Sequence, residues 1–103
     1  MTEFTIADHV SGNTFMGLNF VVSNELGVID ISDALIEFIP DRDSSNKLST
    51  ANATITITDG PAGKCSIIEQ IIAWAPATYE VRLTGTLPSG RKRTWGVATW
   101  NII

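Results

Sequence analysis

The chain has 103 residues, 44% of them apolar and 17% charged, with a formal net charge of −4 and a pI near 4.7. That length suits one domain over residues 1–103, and the composition belongs to a globular body with its own core, not to a disordered tail. The acidic balance argues against nucleic acid as a partner, and no apolar run approaches the roughly 20 residues that cross a bilayer.

The opening residues carry no basic segment followed by an apolar one, so synthesis in the cytoplasm is expected. Cys65 is the only cysteine. It cannot form an internal disulfide, and the fold must rest on packing. Residues 5–10 read as a first strand, closed by the turn Ser11-Gly12-Asn13. Residues 14–23 read as the strongest early strand, with Met16, Leu18, Phe20 and Val22 on one face. Residues 24–27 turn the chain, and residues 28–33 form an extended connection rich in side-chain caps. Residues 34–39 resume as a strand with Ala34, Ile36 and Phe38 toward the core, and Pro40 ends it because proline cannot donate to a ladder.

Residues 41–52, the most polar stretch, are expected to be an exposed loop. Residues 53–58 alternate as a strand, and Asp59-Gly60-Pro61-Ala62-Gly63 is a turn by composition. Ile67, Ile68, Ile71 and Ile72 repeat at near-helical spacing, but their β-branching and the flanking turns favour two short strands, at 65–68 and 70–74. From Tyr79 to Leu87 the period is two: Tyr79, Val81, Leu83 and Leu87 share one face, and Glu80, Arg82, Thr84 and Thr86 the other. Pro88-Ser89-Gly90 turns the chain into a last run, 94–103. That run is apolar on both faces, Trp95 and Val97 against Ala98, Trp100 and Ile102, so it is either central or turned toward a partner. About seven or eight short antiparallel strands separated by turns predict an all-β sandwich.

Residues able to do chemistry are few. His9 is the only histidine, which excludes a site built on several histidines. A Cys65–His9 nucleophile pair is outweighed by the isoleucines beside Cys65, which point to a core thiol. Asp41-Arg42-Asp43-Ser44-Ser45-Asn46 resembles the start of a calcium loop. Asn46 and Asn52, however, occupy the positions that need glycine and a bidentate glutamate, which leaves an irregular calcium site among Asp41, Asp43 and neighbouring carbonyls as the alternative to a solvated, self-capping loop. No phosphate-binding glycine loop or hydrolase elbow is found, so no catalytic residue, cofactor or metal is assigned. Arg91, Lys92 and Arg93 form a basic hairpin tip that suits an acidic patch on a neighbouring protein.

Three stretches carry a resemblance to a known family. They are Gly12-Asn13-Thr14-Phe15-Met16-Gly17-Leu18, then Asp30-Ile31-Ser32-Asp33-Ala34-Leu35-Ile36-Glu37-Phe38, and finally Pro76-Ala77-Thr78-Tyr79-Glu80-Val81-Arg82-Leu83 with Gly90 and Thr94 after it. Together they resemble the immunoglobulin-like N-terminal domain of upper baseplate proteins of tailed phages and related prophage tail modules. The resemblance implies an immunoglobulin-like β-sandwich and a non-enzymatic virion part assembled in a bacterial cytoplasm. Its partners would be other tail or baseplate proteins or further copies of itself, with neither nucleic acid nor membrane. Trp95, Trp100 and Tyr79 are the candidate aromatic anchors of such an interface, with Arg91, Lys92 and Arg93 beside them, and an ordinary core position is the alternative for each of the three aromatics. The alternative is a carbohydrate- or ligand-binding sandwich that stacks its ligand on Trp74 or Trp95, with Asp41, Asp43 or Asn46 as polar contacts.

Overall fold

The alternation over residues 79–83 is realised in the longest ladder of the protein. The computed structural model describes residues 2–24, 27–42 and 44–103. Its strands are β1 (Thr2–His9), β2 (Thr14–Phe15), β3 (Leu18–Val21), β4 (Ser23–Asn24), β5 (Gly27–Val28) and β6 (Leu35–Pro40), followed by β7 (Leu48–Ser49), β8 (Ile55–Asp59), β9 (Lys64–Ile67), β10 (Gln70–Ile71), β11 (Ala77–Thr86) and β12 (Lys92–Ile102). One sheet runs β1-β12-β11-β6-β7 and a second runs β3-β9-β8. β1 lies parallel to β12, and the other pairings are antiparallel. β2 and β10 extend the second sheet, because the register pairing Leu18 with Ile67 continues to pair Phe15 with Gln70.

The two sheets meet in one apolar cluster. Ile36 and Phe38 of β6, Val81 of β11, and Ala98 and Trp100 of β12 are wholly buried, and they share that cluster with Ile55, Cys65 and Ile67 of the facing sheet. Each such large side chain withdrawn from water contributes on the order of 2 kcal/mol, which is what holds the layers together. The radius of gyration, 13.2 Å, matches the value of about 13 Å for a compact body of this length.

Several expectations are corrected. The strand expected over 14–23 breaks at Met16 and Gly17, where Gly17 takes φ +94°. The break shifts the inward parity by one. Phe15 is half-buried and Leu18, Phe20 and Val22 face inward, while Met16 is 76% exposed and not on the core face. A Cβ on Gly17 would lie 2.8 Å from the Ile67 carbonyl oxygen, so the kink needs glycine both for its φ and for space.

The connection over 28–33 is capped as expected, with the Ser32 N–H donating to Asp30 Oδ1 at 2.9 Å. The Ser32 hydroxyl and then that N–H hold the Asp30 carboxyl below its usual range. The same connection delivers Ile31 to the core, fully buried. The loop expected over 41–52 contains a 3-10 turn, Ser44–Asn46, and the short strand β7. In that strand Leu48 pairs with Phe38 and both Leu48 and Ser49 are buried. Lys64–Ile67 and Gln70–Ile71 are strands, as the β-branching indicated. Thr84, assigned to the solvent face, is buried, and its Oγ1 has no hydrogen-bond partner among the described residues.

Candidate interaction surface

The β11–β12 hairpin carries the basic tip and the final aromatic run, so the site begins with its turn. Pro88 and Ser89 occupy the turn centre, and Gly90 follows at φ +86°. The Gly90 N–H donates to the Leu87 carbonyl at 2.8 Å and the Leu87 N–H to the Arg91 carbonyl at 2.9 Å. Proline presets the first dihedral and glycine accepts the left-handed one, which is the chemistry of a three-residue hairpin loop. Arg91, Lys92 and Arg93 follow at once, and all three are exposed. Among the described residues none of them forms an ion pair; Lys47, just before β7, pairs with Glu37 of β6 at 3.0 Å.

Below the tip the ladder slips. Leu83 pairs with Gly96 and Thr84 with Thr94, leaving Trp95 as one extra residue on β12. Such a bulge re-aims its side chain. By parity Trp95 would share the outer face with Val97. Instead its ring packs against Gly85, where a Cβ would overlap the ring carbons. Gly85 is therefore the seat of Trp95. The ring is half-buried and lines a groove of about 240 Å³ together with Phe20, Val21, Val22, Ser23, Leu83 and Gly96. β12 is thus a central strand whose Ala98, Trp100 and Ile102 face inward, with Val97 half-buried on the other face.

The other aromatic candidates lie elsewhere. Trp100 is wholly buried and Tyr79 is buried, so neither presents a surface, and the expectation that they anchor an interface is corrected. Both face inward from the ladder, where Tyr79 pairs with Trp100, and so take the alternative core position. Trp74 is also buried, edge-on to Tyr79 at 5.2 Å and to Trp100 at 5.1 Å between ring centroids. A stacking platform on Trp74 is therefore ruled out, and Trp95 alone of the two remains open. The Tyr79 hydroxyl donates to the Ala75 carbonyl at 2.5 Å. The Trp100 indole N–H donates to the Ala7 carbonyl at 3.1 Å, at the point where β1 carries an extra residue between Ile6 and His9. Each buried polar tip is thereby satisfied, and the Ala7 carbonyl is taken up by an indole at the bulge.

His9 is buried against Phe15 and Trp100. Its Nε2 lies 3.1 Å from the Asn13 carbonyl, an acceptor only, so Nε2 carries the hydrogen. Cys65 lies on β9 of the facing sheet, opposite Phe20 and Ile57. The fold does not pair it with His9. Burial pushes the Cys65 thiol up to about 12, the opposite of an activated nucleophile. Asp41 Oδ1 accepts the Glu80 N–H at 3.1 Å and Arg42 Nε donates to the Thr78 carbonyl at 3.1 Å, so these side chains tie the end of β6 to β11. Asp43 lies outside the described residues. Among those described, no three His, Cys, Asp or Glu side chains gather as a set of metal ligands, and no helix is long and apolar enough to cross a membrane.

Sequence reasoning located the basic tip and Trp95 but missed Phe20, Val21 and Gly96 beside them, since only the sheet packing brings β3 to that end. No family model, curated protein or solved structure matches this chain.

Proposed function

We propose that the chain is an immunoglobulin-like β-sandwich that serves as a non-enzymatic structural module of a phage or prophage tail or baseplate, acting through protein–protein assembly. The observation that carries the fold reading is the Tyr79–Ala75 hydrogen bond at the mouth of β11. A tyrosine at the start of the penultimate strand, bonded to upstream backbone, is the corner found in immunoglobulin-like sandwiches. The strand order supports the same reading: five strands with the first parallel to the last, and three facing them. The tail assignment is supported by the three resembling stretches, which form the turn into β2, the connection into β6 and the start of β11.

The test has two arms. Tail, tape-measure or portal genes are expected beside this reading frame, and one of their products is expected to co-sediment with the purified protein. A neighbourhood without virion genes, or no complex with any of those products, overturns the reading. A ligand-binding role is favoured by one feature, the half-exposed Trp95 over its groove. Glycan-array binding lost on Trp95→Ala would put that role first.

A further inference from the structure

We infer that the cleft between β1 and the edge formed by β2 and β3 is a binding site for a neutral phenol, whose hydroxyl donates to His9 Nδ1. This site lies apart from the Trp95 groove and rests on no part of the assembly reading above.

β1 is the edge strand of one sheet and β3, continued by β2, that of the other. Between them runs a cleft of about 380 Å³, within the range of about 300–1,000 Å³ found for ligand sites. Its floor is apolar: Ile6 is buried, and Phe15 and Leu18 are half-buried against the core. His9 joins that floor because of the extra residue between Ile6 and His9. Strict alternation from Ile6 would turn His9 outward, whereas the bulge turns it in.

His9 is 8% exposed. Its Nε2 hydrogen goes to the Asn13 carbonyl, so Nδ1 holds a lone pair, and among the described residues nothing donates to it. Thr84 Oγ1 is the only sealed side-chain polar atom without a partner among those residues. Nδ1 therefore keeps a path to solvent, and that path is the cleft that His9 lines. A buried acceptor left unfilled is costly, and a hydroxyl hydrogen fills it.

The surroundings select the ligand. The exposed carboxylate of Asp8 lies on the rim, so an anion is disfavoured. The apolar floor penalises a desolvated ammonium. A neutral donor fits both. Its body is a ring, since His9 and Phe15 already meet edge to face at 5.8 Å and a further ring extends that cluster. Met16, 76% exposed on the rim, offers its thioether to such a ring.

The probes are p-cresol and N-acetyltyrosinamide, each beside its hydroxyl-free counterpart, toluene or N-acetylphenylalaninamide. They are added to isotope-labelled full chain and followed by amide shifts and by the ring nitrogens of its single histidine. Shifts are expected within residues 5–9 and 14–18, with Nδ1 moving more than Nε2. Each hydroxylated probe should bind about fivefold more tightly than its counterpart, the worth of one hydrogen bond. His9→Phe keeps a ring and should erase that preference; if it does not fold, the Nδ1 movement in the wild type carries the test. Tighter binding of p-cresol assigns the site to a free phenol, and tighter binding of the tyrosine amide assigns it to a tyrosine of a partner protein. The inference is overturned by equal binding within both pairs, by shifts that map to Trp95 and its groove, by a hydrogen on Nδ1 in the free protein, or by no response at about 5 mM probe. None of these results touches the assembly reading.

Discussion

Trp95 occupies the space that a side chain at residue 85 would fill, and Gly85 lies buried beneath the ring. The pair works only because the bulge on β12 turns the indole back over the sheet. Gly85→Ala should therefore displace the ring, shift tryptophan emission to the red and lower stability by about 1–3 kcal/mol, the usual range for overpacking. Steady-state fluorescence and urea titration check both effects. An unchanged spectrum would mean that the ring relaxes in place.

Collisional quenching should distinguish the three tryptophans. Trp74 and Trp100 are buried and Trp95 half-buried. Trp95→Phe is expected to abolish most of the acrylamide-accessible emission. Trp100→Ala, which empties the centre of the core and orphans the Ala7 carbonyl, should cost about 3–5 kcal/mol. Equal quenching in Trp95→Phe and wild type would contradict the assignment.

Tyr79→Phe removes one hydroxyl and keeps the ring against Trp74. The Ala75 carbonyl belongs to an exposed residue and can turn to water, so the loss should be near 1 kcal/mol. The denaturant midpoint should fall with no change in slope. A loss several times larger would mean that the corner organises the whole turn into β11.

Cys65 gives a pH signature. Its folded thiol is pushed up to about 12, whereas an unfolded cysteine ionises near 8.5. Above that lower value the unfolded chain releases a proton that the folded chain retains, so stability falls as pH rises toward 12, by up to about 1.4 kcal/mol per pH unit. Below pH 8 this contribution is fully present. Cys65→Ala should flatten the alkaline slope, and Ellman's reagent should react with the wild type only as fast as the protein opens. Immediate native labelling would contradict this.

Thr84 is expected to reward replacement. Its hydroxyl is buried without a partner among the described residues, and valine has the same shape without the polar atom. Thr84→Val should raise the thermal midpoint, the gain being on the order of 1 kcal/mol. A lowered midpoint would reveal a hydrogen bond made by that hydroxyl.

Much of the sheet that carries the candidate surface was legible because its signals are local. Ala34, Ile36 and Phe38 alternate inward as their spacing indicates, and so do Tyr79, Val81 and Leu83. What escaped depends on partners that the local pattern does not name. The extra residue at Trp95 exists only relative to β11, and by its own parity the strand gives Trp95 the wrong face. Leu48 and Ser49 look like loop residues until β6 lends them an edge to pair with. Met16 has the right parity for the core, but the positive φ of Gly17 moves it out. Tyr79 and Trp100 show the converse: aromatic type fits an anchor or a core equally well, and only the facing sheet decides between them.

The bond from the Trp100 indole to the Ala7 carbonyl joins residues 93 positions apart. A loop of that length costs entropy that local turns do not, and the return comes only once both ends are in place. The hairpin β11–β12 can form early from neighbours in sequence, whereas β1 must wait for β12 before it has a ladder to join. Until then the edge of β12 is bare along its whole length and the central indole lacks its acceptor. Docking of the first strand is thus expected to follow formation of the hairpin, and substitutions in β1 should change the unfolding rate more than the folding rate.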